Sequence, residues 1–187
     1  MLIQKAESLP TFAPFTLCRA AIEGGAVAVW LLAPQSRDER IRRRLVLATQ
    51  NAFDADGALK VMGKPSSLSK RLNEIRAVAS KRSALEPDLI VSRPPGLGRM
   101  VSEAGDAFVL GSEAAVVSWK ACSGLAHGRQ WASVTMLDRD EIERMANEIN
   151  VKMTASFRNV LSVTAIAVAF SIEARRLFDL RSSRHHL

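Results

Sequence analysis

Apolar residues recur three and four positions apart along most of this chain, the spacing of a helix face rather than of a strand. Thr11 and Pro14 open a first helix and Pro34 closes it, with Phe15, Cys18, Ile22, Ala26 and Val29 along one side. Arg19 and Glu23 are four apart and share a face of it. Gly24-Gly25 in mid-helix costs stability, which implies close packing by another helix or a bend.

Ser36 followed by Glu39 is a capping-box pattern that opens a second helix, expected to fade between Asp54 and Gly63. Pro65 and Ser67 open a third, through about Arg82, with Leu68, Leu72, Ile75, Val78 and Ala79 on one face. Prolines and glycines make residues 84–98 a loop, in which Leu89 to Val91 is the one weak strand signal. Arg99 to Ala104 predicts a short helix. Ser112 caps the next, from Glu113 to about Trp131.

Asp138 and Glu141 repeat the capping pattern and predict a last, long helix to about Leu180. Its stripe runs Ile142, Met145, Ile149, Met153, Phe157, Val160, Val163, Ala167 and Phe170. At about 1.5 Å per residue such a helix reaches ~60 Å and overruns a small bundle, so it breaks or its end packs on a partner chain. The expected fold is therefore all-α: one domain over residues 1–187, an antiparallel bundle of about five to six helices, and a disordered tail at 181–187.

Composition sharpens this picture. Tyr is absent and aromatics are 5% of the 187 residues, too few for a typical sandwich or barrel. Net charge is +7, and Arg supplies most of the 26 basic residues. A basic surface suits RNA or another polyanion, or is a solvated face. Cys18 and Cys122 sit in apolar helical contexts and read as buried free thiols. The N-terminus shows no apolar signal core, and the longest charge-free run, Asn159 to Ile172, is 14 residues against the ~20 a membrane span needs. These features predict a cytoplasmic protein without a membrane segment.

Candidate chemistry gathers in Trp119-Lys-Ala-Cys-Ser-Gly-Leu-Ala-His127. On a helix, Lys120, Ser123 and His127 project from one side, with Ala114, Val117, Ala121, Cys122 and Leu125 on the other. His127 is the sole histidine outside the tail that holds His185 and His186, and imidazole suits proton exchange near neutral pH. Lys120 offers charge to a phosphate. Gly124 and Gly128 thin the helix and would admit a partner helix or a substrate. The alternative is a structural histidine hydrogen-bonded to another helix. Arg19, Glu23 and Trp30 form a second group, which orients helices or supports His127 from behind. Arg37, Arg40, Arg43 and Arg44 are the candidate nucleic-acid contacts. No metal-ligand spacing, phosphate-loop signature or hydrolase elbow occurs, so neither a metal nor a cofactor is expected.

Arg19-Ala-Ala-Ile-Glu23, Trp30-Leu-Leu, the Arg-rich second helix and Trp119 to Gly128 together resemble the HEPN-like helical bundles of actinobacteria and their phages. Their late motif often reads Tyr-Arg-x-Leu-Ser-x-x-x-His. The likeness spans about residues 12 to 135. It implies a helical bundle that forms a homodimer, and in the enzymes of the group, metal-independent RNA cleavage by an Arg and a His. Carried over, the His is His127, Lys120 fills the Arg position and Trp119 the Tyr position, with Ser123 and Glu23 in support. Three roles follow as expectations: a dimeric binding or regulatory module with an RNA or protein partner, an endoribonuclease of toxin or defence type, or a DNA-binding regulator.

Overall fold

A computed structural model describes residues 10–92, 95–144 and 149–182. Of the tail expected at 181–187, Arg181 and Ser182 instead belong to the last helix, and residues 183–187, with both histidines, lie outside the described residues, as do residues 1–9.

The chain is mostly helical, with eight helices and one two-stranded sheet among the described residues. It folds as two compact units, one built from the chain up to Trp30 and from Leu97 onward, the other from Leu31–Gly96.

The smaller unit holds α2 (Arg37–Val61), α3 (Leu68–Ala79) and the one-turn α4 (Pro87–Ile90). Ser36 caps α2 as its sequence predicts, its hydroxyl accepting from the Glu39 N–H at 3.3 Å. The helix runs on past Asp54 and ends at Val61, within the expected window. Buried Asp56 pairs with Lys60 at 2.8 Å and accepts from the Ser66 hydroxyl, which holds the last turns together. Gly63, at φ +66°, then ends it, and Lys64 N–H closes on the Leu59 carbonyl at 2.9 Å. Ala79, Leu85 and Ile90 form the core of this unit, with Ile41, Leu45 and Ile75 packed on it. Leu89 to Val91, the weak strand signal, instead finishes α4, because Pro87 pre-sets the first helical φ.

The larger unit begins with α1 (Ala13–Leu32), whose buried face is Phe15, Cys18, Ile22, Ala26, Val29 and Trp30. It continues with α5 (Leu97–Asp106), α6 (Ser112–Ala126) and α7 (Gln130–Met136). Gly111, not Ser112, is the cap of α6, and the Ser112 N–H is met by Asp106 at 2.8 Å.

The single long helix from Asp138 does not form. Residues Leu137–Arg144 (β1) and Ile149–Ala155 (β2) pair as an antiparallel hairpin, and only then does α8 (Phe157–Ser182) begin. The segment Ile-Asn-Val-Lys-Met-Thr-Ala alternates apolar and polar residues with period two, a strand signal embedded in an otherwise helical stripe. Asp140 stands opposite Lys152, a favourable cross-strand charge pair. Asn159 donates to the Met136 carbonyl at 3.0 Å, so the hairpin leaves and re-enters the helices at one point.

The hairpin returns the chain so that α8 runs in the same direction as α1: Cys18 meets Thr164 and Gly25 meets Phe170. Phe108 stacks edge-on against Phe170, with ring centroids 5.5 Å apart. Two helices, α1 and α8, are long and apolar enough to cross a membrane, and 33% and 17% of their most apolar windows are buried within the protein.

Candidate functional site

The site lies in the larger unit, where α1 and α6 run antiparallel. Glu23 Oε1 accepts from Arg19 Nε at 2.7 Å and from the Trp119 indole N–H at 2.9 Å. Arg19 then reaches past Glu23 to His127, its Nη1 lying 3.2 Å from Nε2. A guanidinium only donates, so Nε2 accepts and the imidazole proton sits on Nδ1 in this geometry. Two stretches far apart in sequence thus form one chain, Trp119–Glu23–Arg19–His127, in which a partly buried carboxylate fixes the guanidinium and the guanidinium holds the imidazole.

Local sequence explains each position. Arg19 and Glu23 are one turn apart, on the flank of the buried α1 stripe. Trp119 lies over Gly98 of α5; a Cβ there would come within 3.2 Å of the ring, so glycine leaves the indole its place. His127 does not project from mid-helix. It is the C-cap residue of α6, its N–H bonded to the Ser123 carbonyl at 3.1 Å. Gly128, at φ +62°, turns the chain, and Arg129 N–H returns to the Gly124 carbonyl at 2.8 Å. Helix Glu113 to Trp131 is therefore two helices, because a left-handed turn at Gly128 interrupts it. Gly124 admits no partner chain or substrate; Ala132 and Trp131 of α7 fill its space, a Cβ there falling 2.6 Å from that of Ala132.

The remaining candidates divide. His127 and Lys120 are exposed and Ser123 is half-buried. The core side of α6 is Ala115, Ala121, Cys122, Gly124 and Leu125; Val117, expected there, faces solvent. Both cysteines are buried free thiols, and burial pushes the Cys122 thiol up to about 12. In the smaller unit Arg40 donates to the Pro34 and Gln35 carbonyls at 2.8 Å, and Arg43 joins Arg42 on Glu39. Those contacts tie the start of α2 together, while Arg37 and Arg44 are exposed. Among the described residues no three His, Cys, Asp or Glu side chains group as metal ligands.

Sequence reasoning missed a second clamp of the same design. Glu103 on α5 accepts from Arg99 at 2.7 Å and from the Trp30 indole N–H at 2.8 Å. Each clamp is an Arg and a Glu four apart on one helix, with a tryptophan supplied by another. Arg99-x-x-x-Glu103 repeats the spacing of Arg19-x-x-x-Glu23, which was the available signal.

Compared with known protein families, with curated proteins and with solved structures, the chain matches none.

Proposed function

We propose that this chain is a dimeric, HEPN-like helical module that binds RNA, with Arg19 and His127 as its phosphate contact. The observation that carries the reading is the 3.2 Å approach of the Arg19 guanidinium to an exposed imidazole. A guanidinium can hold phosphate oxygens and an imidazole can exchange a proton near neutral pH, both without a metal. Lys120 adds a cation about two turns before His127 on the same helix, and the net charge of +7 favours a polyanion. Glu23 and Trp119 hold Arg19 in place. Fluorescence anisotropy with single-stranded RNA tests the site. Binding that weakens as salt rises is expected, with Arg19→Ala and His127→Ala each losing about tenfold in affinity. RNA affinity unchanged in both variants would sink the reading.

A second reading is favoured by the imidazole tautomer. The Nε2 lone pair accepts from Arg19; once a substrate phosphate draws the guanidinium onto itself, that nitrogen is free to act as a general base. In a metal-independent endoribonuclease of toxin or defence type it would take the proton of a ribose 2′-hydroxyl. That oxygen attacks the neighbouring phosphorus, and the 5′-oxygen leaves with a proton from solvent. Cleavage that persists in EDTA, leaves 2′,3′-cyclic phosphate ends and vanishes in His127→Ala would establish this reading. Intact RNA at every pH would reject it.

A further inference from the structure

Helix α8 is apolar on two opposite sides. Val163, Ala167, Phe170 and Leu177 face the core of the larger unit. On the far side Phe157 is 72% exposed, Leu161 59%, Val168 49% and Ile172 64%, with Thr164 and Ala165 exposed between them. A helix apolar all round is normally covered all round. The stripe ends where Arg175 and Asp179 pair at 2.9 Å.

The order of residues in this stripe is its own mirror. Phe157 and Ile172, Leu161 and Val168, and Thr164 and Ala165 are each placed symmetrically about the point between 164 and 165. An antiparallel copy of the same helix, related by a two-fold axis at that point, sets Phe157 against Ile172 and Leu161 against Val168, twice over. Ala165 meets its copy where the helices cross, beside Thr164, whose hydroxyl lies 3.4 Å from Cys18 of α1. Such a self-complementary patch is what a two-fold interface requires, residue for residue.

The dimensions agree. Taking about 150–200 Å² for a fully exposed side chain of this size, the stripe offers on the order of 500 Å² per chain and 1,000 Å² for a pair, where specific interfaces begin. A bilayer is a poorer fit, because the other side of the same helix, Val163, Ala167, Phe170 and Leu177, is already packed in the core of the larger unit.

We propose that the outer face of α8, Phe157–Leu161–Ala165–Val168–Ile172, is the contact with a second copy of this chain, antiparallel about Thr164 and Ala165. This names the face of the dimer in the functional reading and rests on that part alone; the Arg19–His127 site does not enter it.

The test is sedimentation velocity on the full chain without RNA, over a roughly hundredfold range of concentration. The expected species has twice the chain mass of 20.4 kDa. Leu161→Glu and Ala165→Glu, both at exposed positions, should halve it while helicity and melting by circular dichroism stay unchanged. Ala165→Cys, treated with a short bis-maleimide, should link into a dimer, as should a mixture of Phe157→Cys with Ile172→Cys; Ile172→Cys alone should not. Cys18 and Cys122 are buried and should not contribute. A wild-type monomer throughout, a dimer untouched by both glutamates, or linkage of Ile172→Cys with itself would overturn the proposal. So would binding of the monomer to neutral lipid vesicles, lost in Leu161→Glu. Loss of RNA binding in Arg19→Ala with the dimer intact concerns the site alone.

Discussion

A Cβ on Gly25 would stand 2.8 Å from the Cβ of Phe170 and 3.2 Å from its carbonyl carbon, so α1 and α8 touch at the roots of their chains. Its neighbour Gly24 meets nothing within 4 Å. The adjacent glycines therefore answer opposite demands. Gly25→Ala should destabilise by about 1–3 kcal/mol, because backbone must shift to make room. Gly24→Ala should stabilise by about 0.5–1 kcal/mol through helix propensity and a stiffer unfolded chain. Chemical denaturation of the two variants checks the contrast; equal effects would refute the close approach.

Trp119 and Glu23 lock the candidate site from behind. Trp119→Phe keeps most of the ring but removes the indole N–H, and should cost about 1–2 kcal/mol in denaturant titration. Trp30→Phe should cost a similar amount, because the indole N–H of buried Trp30 satisfies Glu103. A neutral result in both would deny the clamps any energetic role.

Arg19→Lys separates charge from geometry. Lysine keeps the cation but cannot hold Glu23 and His127 from one rigid plane. RNA affinity should fall nearly as far as in Arg19→Ala. Full affinity in the lysine variant would mean that charge alone suffices.

Hydrogen bonds from Arg42, then Arg43, hold the Glu39 carboxyl down at about 2, from an ordinary 4.5. The folded value is the lower one. This stabilisation is complete above about pH 4.5 and is lost as pH falls toward 2. At a partly exposed site it is worth on the order of 1 kcal/mol. Acid titrations monitored by circular dichroism should show Glu39→Gln less stable than wild type at pH 7 and equal to it near pH 2. A constant gap across that range would contradict the assignment.

Cys122 should resist iodoacetamide at pH 8 in the native protein and react once it is unfolded. Its thiol is buried and raised to about 12, so almost no thiolate forms. Rapid native labelling would place it in an opening segment.

Much of the helix map was legible from local pattern. The Ser36 cap, the α1 face and the loop glycines each rest on interactions within a few residues, which a sequence displays directly. The hairpin was not, because Ile149 and Met153 fit a helical stripe as well as the alternation of a strand. Asp138-x-x-Glu141 imitated a capping box without acting as one, since strand pairing used the same backbone groups.

The sequence by itself determined the helical class, the candidate residues and the facing of Arg19 toward Glu23, because period and one-turn spacing are local properties. Tertiary structure alone decided that Arg19, not Lys120, meets His127. It also brought Trp119 to Glu23 and exposed the far side of α8. Those outcomes depend on how α1, α5, α6 and α8 approach one another across 70 to 150 residues of chain, a packing choice that local periodicity does not encode.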